Sequence, residues 1–320
     1  MRKVHRLLGL VAGLWLVWLG LTGSLLALGQ RLDQALHPHL FVCAREEAPA
    51  RLQEALLAVR QAYPGRTPER LDFGRPLRFW LDDGLIVYVD PAGPRLLGDL
   101  PKAQTVRGCV LPLHEFAEPF LPVVAGLAAL VLFSGWSLQK PTRRALPPRH
   151  AYDWHRVLGW LSTPSLLVAM ATGTLLVEYK LMDRLLRWGQ KPAVATIPNL
   201  PDVGPDLDAQ VGQARRIWPQ AQLIRLQWTS QGIQLRLRQP GEHNPVGRSF
   251  LHLEPATGKV TTLEDPLQDP WAVRLLQGTY GIHAGYFPGG GLLAVLGLTP
   301  LALWLTGLHL RRKRLSRIGP

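Results

Sequence analysis

His5-Arg6-Leu7-Leu8-Gly9, near the start of the chain, returns 150 residues later as His155-Arg156-Val157-Leu158-Gly159. Seventeen residues after each histidine stands a Thr-Gly pair, Thr22-Gly23 in the first copy and Thr172-Gly173 in the second. The offset stays at 150 residues throughout, without a gap. Two equivalent histidines at the same end of two equivalent apolar segments predict an internal duplication with a site of approximate twofold symmetry.

Hydropathy around these two copies decides the fold class. A membrane-spanning helix needs about 20 consecutive, mostly apolar residues, and four segments of this chain meet that length. They are separated by two long polar segments, 30–119 and 178–288, and by the short loop 139–156. We therefore predict an α-helical membrane protein, a four-helix bundle built from two parallel repeats. The predicted transmembrane helices occupy residues 1–29, 120–138, 157–177 and 289–310, and the tail 311–320 follows the last of them.

The distribution of Lys and Arg predicts the orientation in the membrane. The start of the chain, the loop 139–156 and the tail 311–320 together hold 13 basic residues and a single acid, Asp153. The two long polar segments are nearly balanced, with 11 basic and 12 acidic residues in the first and 12 and 10 in the second. Short basic segments stay in the cytoplasm, so both termini are predicted there. The net charge of +13 is thus a topology signal and does not indicate nucleic acid as a partner.

Each long polar segment is predicted to be a small α+β domain on the outer side of the membrane. The first has an amphipathic helix over 49–63, and the second has one over 207–218. Turn signals such as Asp82-Asp83-Gly84 separate short runs of strand-forming residues. The predicted strands are 77–81 and 85–89 in the first segment and 223–229, 233–238 and 249–253 in the second.

Both cysteines, Cys43 and Cys109, lie in the first outward segment. Cysteines confined to a non-cytoplasmic segment fit an oxidising compartment. The pair is therefore a candidate disulfide, which would contribute about 4 kcal/mol by closing its loop. Two free thiols are the alternative.

His5 and His155, called here the first pair, are candidate axial ligands of a haem at the cytoplasmic end of the bundle. Neutral imidazole is the usual axial ligand of b-type haem, and facing helices of a four-helix bundle commonly hold such a cofactor. The sequence has no Cys-x-x-Cys-His motif, which argues against covalent attachment. The alternative is that each histidine is an interfacial polar side chain or a partner for lipid phosphate.

Several motifs resemble known families. The turns Asp90-Pro91-Ala92-Gly93 and Glu254-Pro255-Ala256-Thr257-Gly258, each after a helix and strands, resemble the PepSY domain. The opening His-Arg-x-Leu-Gly and Thr-Gly-x-Leu-Leu motifs resemble the PepSY-associated transmembrane family. So do Asp153-Trp154-His155-Arg156, Ile282-His283-Ala284-Gly285 and Thr306-Gly307-Leu308. The resemblance covers nearly the whole chain.

This resemblance implies a bacterial inner-membrane protein linked to iron uptake, with its two PepSY-like domains in the periplasm. Some members of the family are haem-containing reductases of ferric siderophores. The resemblance makes His114 and His283, called here the second pair, candidate ligands of another haem at the outer side. His309 could replace His5 or touch a propionate. His37 and His39 could bind the metal of the substrate or line the outer haem.

We therefore expect an electron-transfer protein with haem b, in two copies, that reduces a ferric chelate, most simply a ferric siderophore. No dinucleotide-binding signature is present, so quinol or a separate reductase would supply the electrons. A haem-free membrane-anchored binding or accessory protein for iron uptake is the first alternative. A transporter is the second, although no predicted span carries an acidic residue or a lysine at its centre, where a coupling ion needs one.

Overall fold

The computed structural model describes residues 2–44, 51–116, 118–138, 150–287 and 289–316. Most of the predicted basic loop, the end of the tail and the first two residues of the helix predicted over 49–63 therefore lie outside the described residues. The chain divides into two compact units. The bundle unit comprises Met1–Gly29, Cys109–Tyr179 and Thr279–Pro320, and the sheet unit comprises Gln30–Gly108 and Lys180–Gly278.

The bundle unit consists of helices, and the sheet unit has helices of its own that pack on its sheet. In chain order they are α1 (Arg2–Leu36), α2 (Leu52–Ala62), α3 (Val106–Glu115), α4 (Leu121–Ser137), α5 (Ala151–Val177), α6 (Tyr179–Leu186), α7 (Leu207–Ile217), α8 (Trp271–His283) and α9 (Gly290–Leu315). Four helical stretches, containing α1, α4, α5 and α9, are long and apolar enough to cross a membrane. The prediction of four membrane-spanning helices is confirmed at this level.

The helices differ from the prediction at their ends. α1 continues to Leu36, beyond the predicted end at residue 29, because the added residues include no glycine or proline. The helix ends at Leu36. The next residue, His37, precedes Pro38, and a residue before proline is disfavoured in helical conformation. α3 and α8 were not predicted, since both are short and carry mixed polar and apolar residues.

Close packing of small residues joins the helices of the bundle unit. At the crossing of α1 and α9, a Cβ atom on either Gly20 or Gly297 would collide with the backbone carbonyl oxygen of the other. The hydroxyl of Ser24 donates to the carbonyl oxygen of Ala294 at 2.8 Å beside this crossing. α5 packs against α4 and α9. Apolar helices in a membrane associate through such contacts, because lipid offers them no hydrophobic driving force.

The sheet unit is built on one antiparallel sheet. Its strands are β1 (Pro68–Asp72), β2 (Leu77–Leu81), β3 (Leu85–Val89), β4 (Leu96–Pro101), β5 (Gln222–Thr229), β6 (Gly232–Arg238), β7 (Ser249–Leu253) and β8 (Val260–Glu264). The eight described strands lie in the order β4-β3-β2-β1-β5-β6-β7-β8. The sequence predicts one sheet in each outward segment, whereas in the structure the strands of both segments pair across β1 and β5, with Leu71 opposite Leu226.

Five of the eight described strands were predicted, and β1, β4 and β8 were not. β2, β3 and β7 have the predicted limits, and β5 and β6 each begin one residue earlier than predicted. β1 was missed because its sequence, Pro-Glu-Arg-Leu-Asp, has little apolar character of its own. Its side chains acquire their partners only from β2 and β5 on either side.

α2 and α7 cover one face of the sheet. A side chain of each helix accepts hydrogen bonds from backbone N–H groups at the start of the other helix. The carboxylate of Asp208, in α7, accepts hydrogen bonds from the backbone N–H groups of Leu52 and Gln53 at 2.9 and 3.0 Å. The side-chain oxygen of Gln53, in α2, accepts one from the N–H of Leu207 at 3.1 Å. The first N–H groups of a helix have no partner within it, so this exchange fixes the two helix starts together. The main core lies between these helices and the sheet.

Candidate functional site

The four predicted haem ligands form two pairs within the bundle unit. In the first pair, His5 of α1 and His155 of α5 have ring centres 6.4 Å apart and ring planes at 78°. In the second pair, His114 at the end of α3 and His283 at the end of α8 have ring centres 6.1 Å apart and planes at 50°. All four side chains are half-buried. The structure thus brings together the residues that sequence reasoning had paired.

Each histidine contacts a dipeptide of one hydroxyl residue and one glycine on a neighbouring helix. The Nδ1 atoms lie 2.8 to 3.3 Å from the hydroxyl oxygens. The ring Cε1 atoms lie within 3.6 Å of the position that a Cβ on the glycine would take. The four contacts are His5 with Ser134-Gly135, His114 with Thr22-Gly23, His155 with Thr306-Gly307, and His283 with Thr172-Gly173.

The hydrogen-bond network assigns the tautomer of these rings. Each hydroxyl donates its proton to a backbone carbonyl three or four residues earlier in its own helix, as Thr306 does to Ala302 at 2.7 Å. Its oxygen must then accept from the histidine, so Nδ1 carries the ring proton. The backbone carbonyl oxygens of Val131 and Ala169, which can only accept, also lie 3.1 and 3.2 Å from the Nδ1 atoms of His5 and His283. The unprotonated nitrogen is therefore Nε2.

The glycines of these dipeptides give the rings room. A Cβ on Gly135 would lie 2.9 Å from Cε1 of His5, and one on Gly173 would lie 3.0 Å from Cε1 of His283. Both distances are shorter than an ordinary van der Waals contact, so any other residue would displace the imidazole. At Gly23 and Gly307 the corresponding distances are 3.5 and 3.6 Å, and the rings lie there in ordinary contact.

The arrangement suits a metal held between two imidazoles. Imidazole nitrogens bind transition metals at about 2 Å, and each nitrogen lies about 1 Å from its ring centre, so two imidazoles on opposite sides of one metal have centres roughly 6 Å apart. The observed spacings of 6.4 and 6.1 Å match this value. A hydrogen bond from Nδ1–H to a neighbouring oxygen is the usual device that orients a metal-binding histidine.

The remaining predicted residues lie elsewhere. His309 is exposed on α9. His37 and His39 belong to the sheet unit, with ring centres 6.4 Å apart and His39 exposed. Cys43 is partly buried and Cys109 is exposed, and the candidate disulfide between them stays a prediction. Among the described residues, no group of three or more His, Cys, Asp or Glu side chains could hold a metal ion, and the candidate sites are the two pairs.

Sequence reasoning missed the partners of the histidines. The repeat contains Thr22-Gly23 and Thr172-Gly173, but its spacing did not indicate that these residues contact histidines. Ser134-Gly135 was not predicted as an equivalent of these pairs. A signal was present, because a hydroxyl residue followed by glycine occurs in each of the four spans.

Comparisons with known proteins agree with the motifs. No curated protein matches this chain. The family described as the PepSY-associated TM region matches residues 2–314, which include both histidine pairs and all four hydroxyl–glycine dipeptides. The resemblance inferred from the sequence motifs is thereby confirmed, and the chain belongs to the PepSY-associated TM region family.

Proposed function

We propose that this protein transfers electrons across a membrane through two b-type haems and reduces a ferric chelate on the outer side. The observation that carries the proposal is the set of four histidines, each protonated on Nδ1 and arranged in two pairs with the ring spacing that axial ligation needs. The first pair would hold the haem near the cytoplasmic side. The second pair would hold the haem near the outer side.

The residues around each histidine pair support the binding of a haem there. When bound, b-type haem would supply a one-electron couple, and the two imidazoles of each pair would hold its iron. Ser134, Thr22, Thr306 and Thr172 orient the imidazoles, and the following glycines admit them. The half-buried position of each ring limits its contact with water.

The two pairs lie at different depths along the bundle. His5 belongs to the first pair, and Thr22, which contacts His114 of the second pair, lies 17 residues further along the same helix. At 1.5 Å per residue this separation is about 25 Å along the helix axis, close to the thickness of the apolar part of a bilayer. This spacing supports a role in carrying electrons from one side of the membrane to the other.

The partners of this reaction follow from the same proposal. The protein would lie in a bacterial inner membrane with both termini in the cytoplasm, as its basic segments indicate. Quinol or a separate reductase would supply the electrons. A ferric siderophore would accept one electron per iron, and the Fe(II) formed binds hard oxygen ligands more weakly, so iron is released without destruction of the chelator.

The experiment that tests the proposal is a reduced-minus-oxidised visible spectrum of the purified full chain, with haem quantified per chain. We expect the sharp bands of low-spin haem with two axial histidines, at two haems per chain. Adding a ferric siderophore to the reduced protein under anaerobic conditions should return the oxidised spectrum. A colourless protein purified from haem-replete cells would contradict the proposal and favour a haem-free binding protein.

A further inference from the structure

The sheet face opposite α2 and α7 carries a line of charged cross-strand neighbours. Arg78 of β2 lies opposite Asp72 of β1, Asp72 lies opposite Arg225 of β5, and Arg225 lies opposite Arg236 of β6. Arg70 stands two residues before Asp72 and shares its face, because side chains alternate along a strand. Arg70, Arg78, Arg225 and Arg236, called here the arginine cluster, therefore occupy the four central strands of the sheet unit.

A single carboxylate serves three of these four arginines. Asp72 accepts hydrogen bonds from Nε and Nη2 of Arg70 at 2.8 and 2.6 Å, and from Nε of Arg225 at 2.8 Å. Nη2 of Arg78 lies 3.9 Å from the same carboxylate. Nε of Arg236 donates to the backbone carbonyl oxygen of Gly247 at 2.9 Å. Among the contacts of the described residues, three guanidinium groups thus share this one carboxylate, an excess of two positive charges.

This excess is unfavourable for the protein alone. Arg225 and Arg236 lie directly opposite each other on adjacent strands, and like charges in that position destabilise a sheet. The side chains of Arg70, Arg78 and Arg225 keep 26, 36 and 25% of their surface exposed. The cluster is therefore accessible to a ligand, and an anion bound to it would offset the repulsion.

Aromatic rings flank the cluster on both sides. The guanidinium of Arg70 lies 4.4 Å from the ring centre of Trp80, and that of Arg236 lies 5.7 Å from the ring centre of Phe250. Beyond Trp80, the side chains of Leu40 and Phe41 cover the face above β3 and β4. The open part of the face is thus positively charged and bordered by flat apolar rings.

We propose that the arginine cluster binds the ferric chelate, and that the chelate is a polyanion with aromatic oxygen donors, of the ferric tris-catecholate class. Each guanidinium presents a fork of N–H donors that matches paired anionic oxygens. The guanidinium groups of Arg70 and Arg236 lie over Trp80 and Phe250, and a catechol ring of the ligand would pack beside these cation–aromatic pairs. A neutral ferric trihydroxamate has neither the charge nor the aromatic rings. The identification of the chelate as substrate rests on the proposed function, whereas its binding does not need haem.

Binding is tested by equilibrium dialysis of radioactive iron as ferric tris-catecholate against the full chain in detergent. We expect the wild-type protein to bind this trianion at least tenfold more tightly than a neutral ferric trihydroxamate, with affinity falling as salt rises. Arg78→Gln and Arg236→Gln should each weaken binding of the trianion several-fold, and the double variant should weaken it more than tenfold. Arg78→Lys, which keeps the charge and loses the fork, should lie between wild type and Arg78→Gln.

The matched control is Arg215→Gln with Arg216→Gln, two exposed arginines of α7 on the other side of the sheet. This control removes the same charge and should leave binding unchanged. Equal binding of the two chelates by wild type, or equal loss in the control and the cluster variant, would overturn the proposal. The haem content of every sample separates the two hypotheses, because a haem-free wild type that binds the trianion refutes the reductase and keeps this site.

Discussion

The Nδ1 atom of His114 lies 2.8 Å from the hydroxyl oxygen of Thr22, a residue 92 positions earlier in the chain. Because the Thr22 hydroxyl gives its own proton to the carbonyl oxygen of Trp18 at 2.8 Å, the histidine is the donor in this contact. One hydrogen bond thus fixes both the orientation and the protonation of the ring. The same device recurs at the other three histidines, each time on a different pair of helices.

Replacing Thr22 tests whether this hydrogen bond orients His114 for haem binding. Thr22→Val keeps the shape and removes the acceptor, so the His114 ring loses its fixed orientation. We expect the affinity of the second pair for haem to fall about 10- to 100-fold, as for other groups that orient metal ligands. Haem titration of the apoprotein measures this affinity. Thr22→Ser restores the hydroxyl and should bind haem as wild type does, and equal affinities for Val and Ser would contradict the role.

Removing a single histidine should remove a single haem. His155→Ala is expected to leave one haem per chain, held by the second pair, and His114→Ala is expected to leave the one held by the first pair. Haem quantification and redox titration of the two variants should show the loss of two different components. A variant His155→Ala that retains both haems would contradict the assignment of His155.

Substitutions at two glycines of α4 distinguish a need for space beside His5 from a general effect of replacing a glycine in this helix. Gly135→Ala places a Cβ 2.9 Å from Cε1 of His5 and should displace that ring. We expect it to lose the haem of the first pair and to keep the other. Gly126→Ala is the matched control, because no atom lies within 4 Å of its Cβ position, and it should keep both haems. The ratio of haem to protein, measured for both variants, decides the outcome.

The buried carboxylate of Asp72 should stabilise the sheet unit. Asp72→Asn leaves Arg70 and Arg225 without their counter-charge, and we expect it to lower the free energy of unfolding by about 2 to 4 kcal/mol, since breaking a buried ion pair is costly. Asp83→Asn is the control, because it removes a surface ion pair with Arg66 that is worth at most about 1 kcal/mol. Tryptophan fluorescence during denaturation of the full chain in detergent measures both.

The same carboxylate predicts a dependence on pH. Burial alone would raise the pKa of Asp72, but hydrogen bonds from Arg70 and the charges of Arg70, Arg225 and Arg78 hold it below its usual value. A carboxylate with a lowered pKa in the folded protein stabilises the fold fully above its unfolded pKa, and this stabilisation is lost as the pH falls through the folded pKa. Below about pH 4, wild type should therefore lose stability more steeply than Asp72→Asn. Parallel pH profiles of the two would contradict the prediction.

Much of the bundle unit was predictable because its signals are local. The length of each apolar segment predicted four spans, and the repeat at an offset of 150 residues predicted that His5 and His155 are equivalent. The second pair required the family resemblance, since α3 and α8 are too short and too mixed in composition to be recognised from periodicity. The ends of the helices were less predictable than their number: α1 continues to Leu36, seven residues beyond its predicted end.

The sequence by itself determined the membrane class, the orientation signal, the α+β character of the two long polar segments and the four histidines, because hydrophobic length, charge and residue spacing act within short stretches of chain. Only the tertiary structure decided that the two long polar segments share one sheet through Leu71 and Leu226. It alone decided that Thr306 orients His155 across 151 positions, and that Arg225 faces Arg236. These contacts join distant parts of the chain, and they form only when packing brings those parts together.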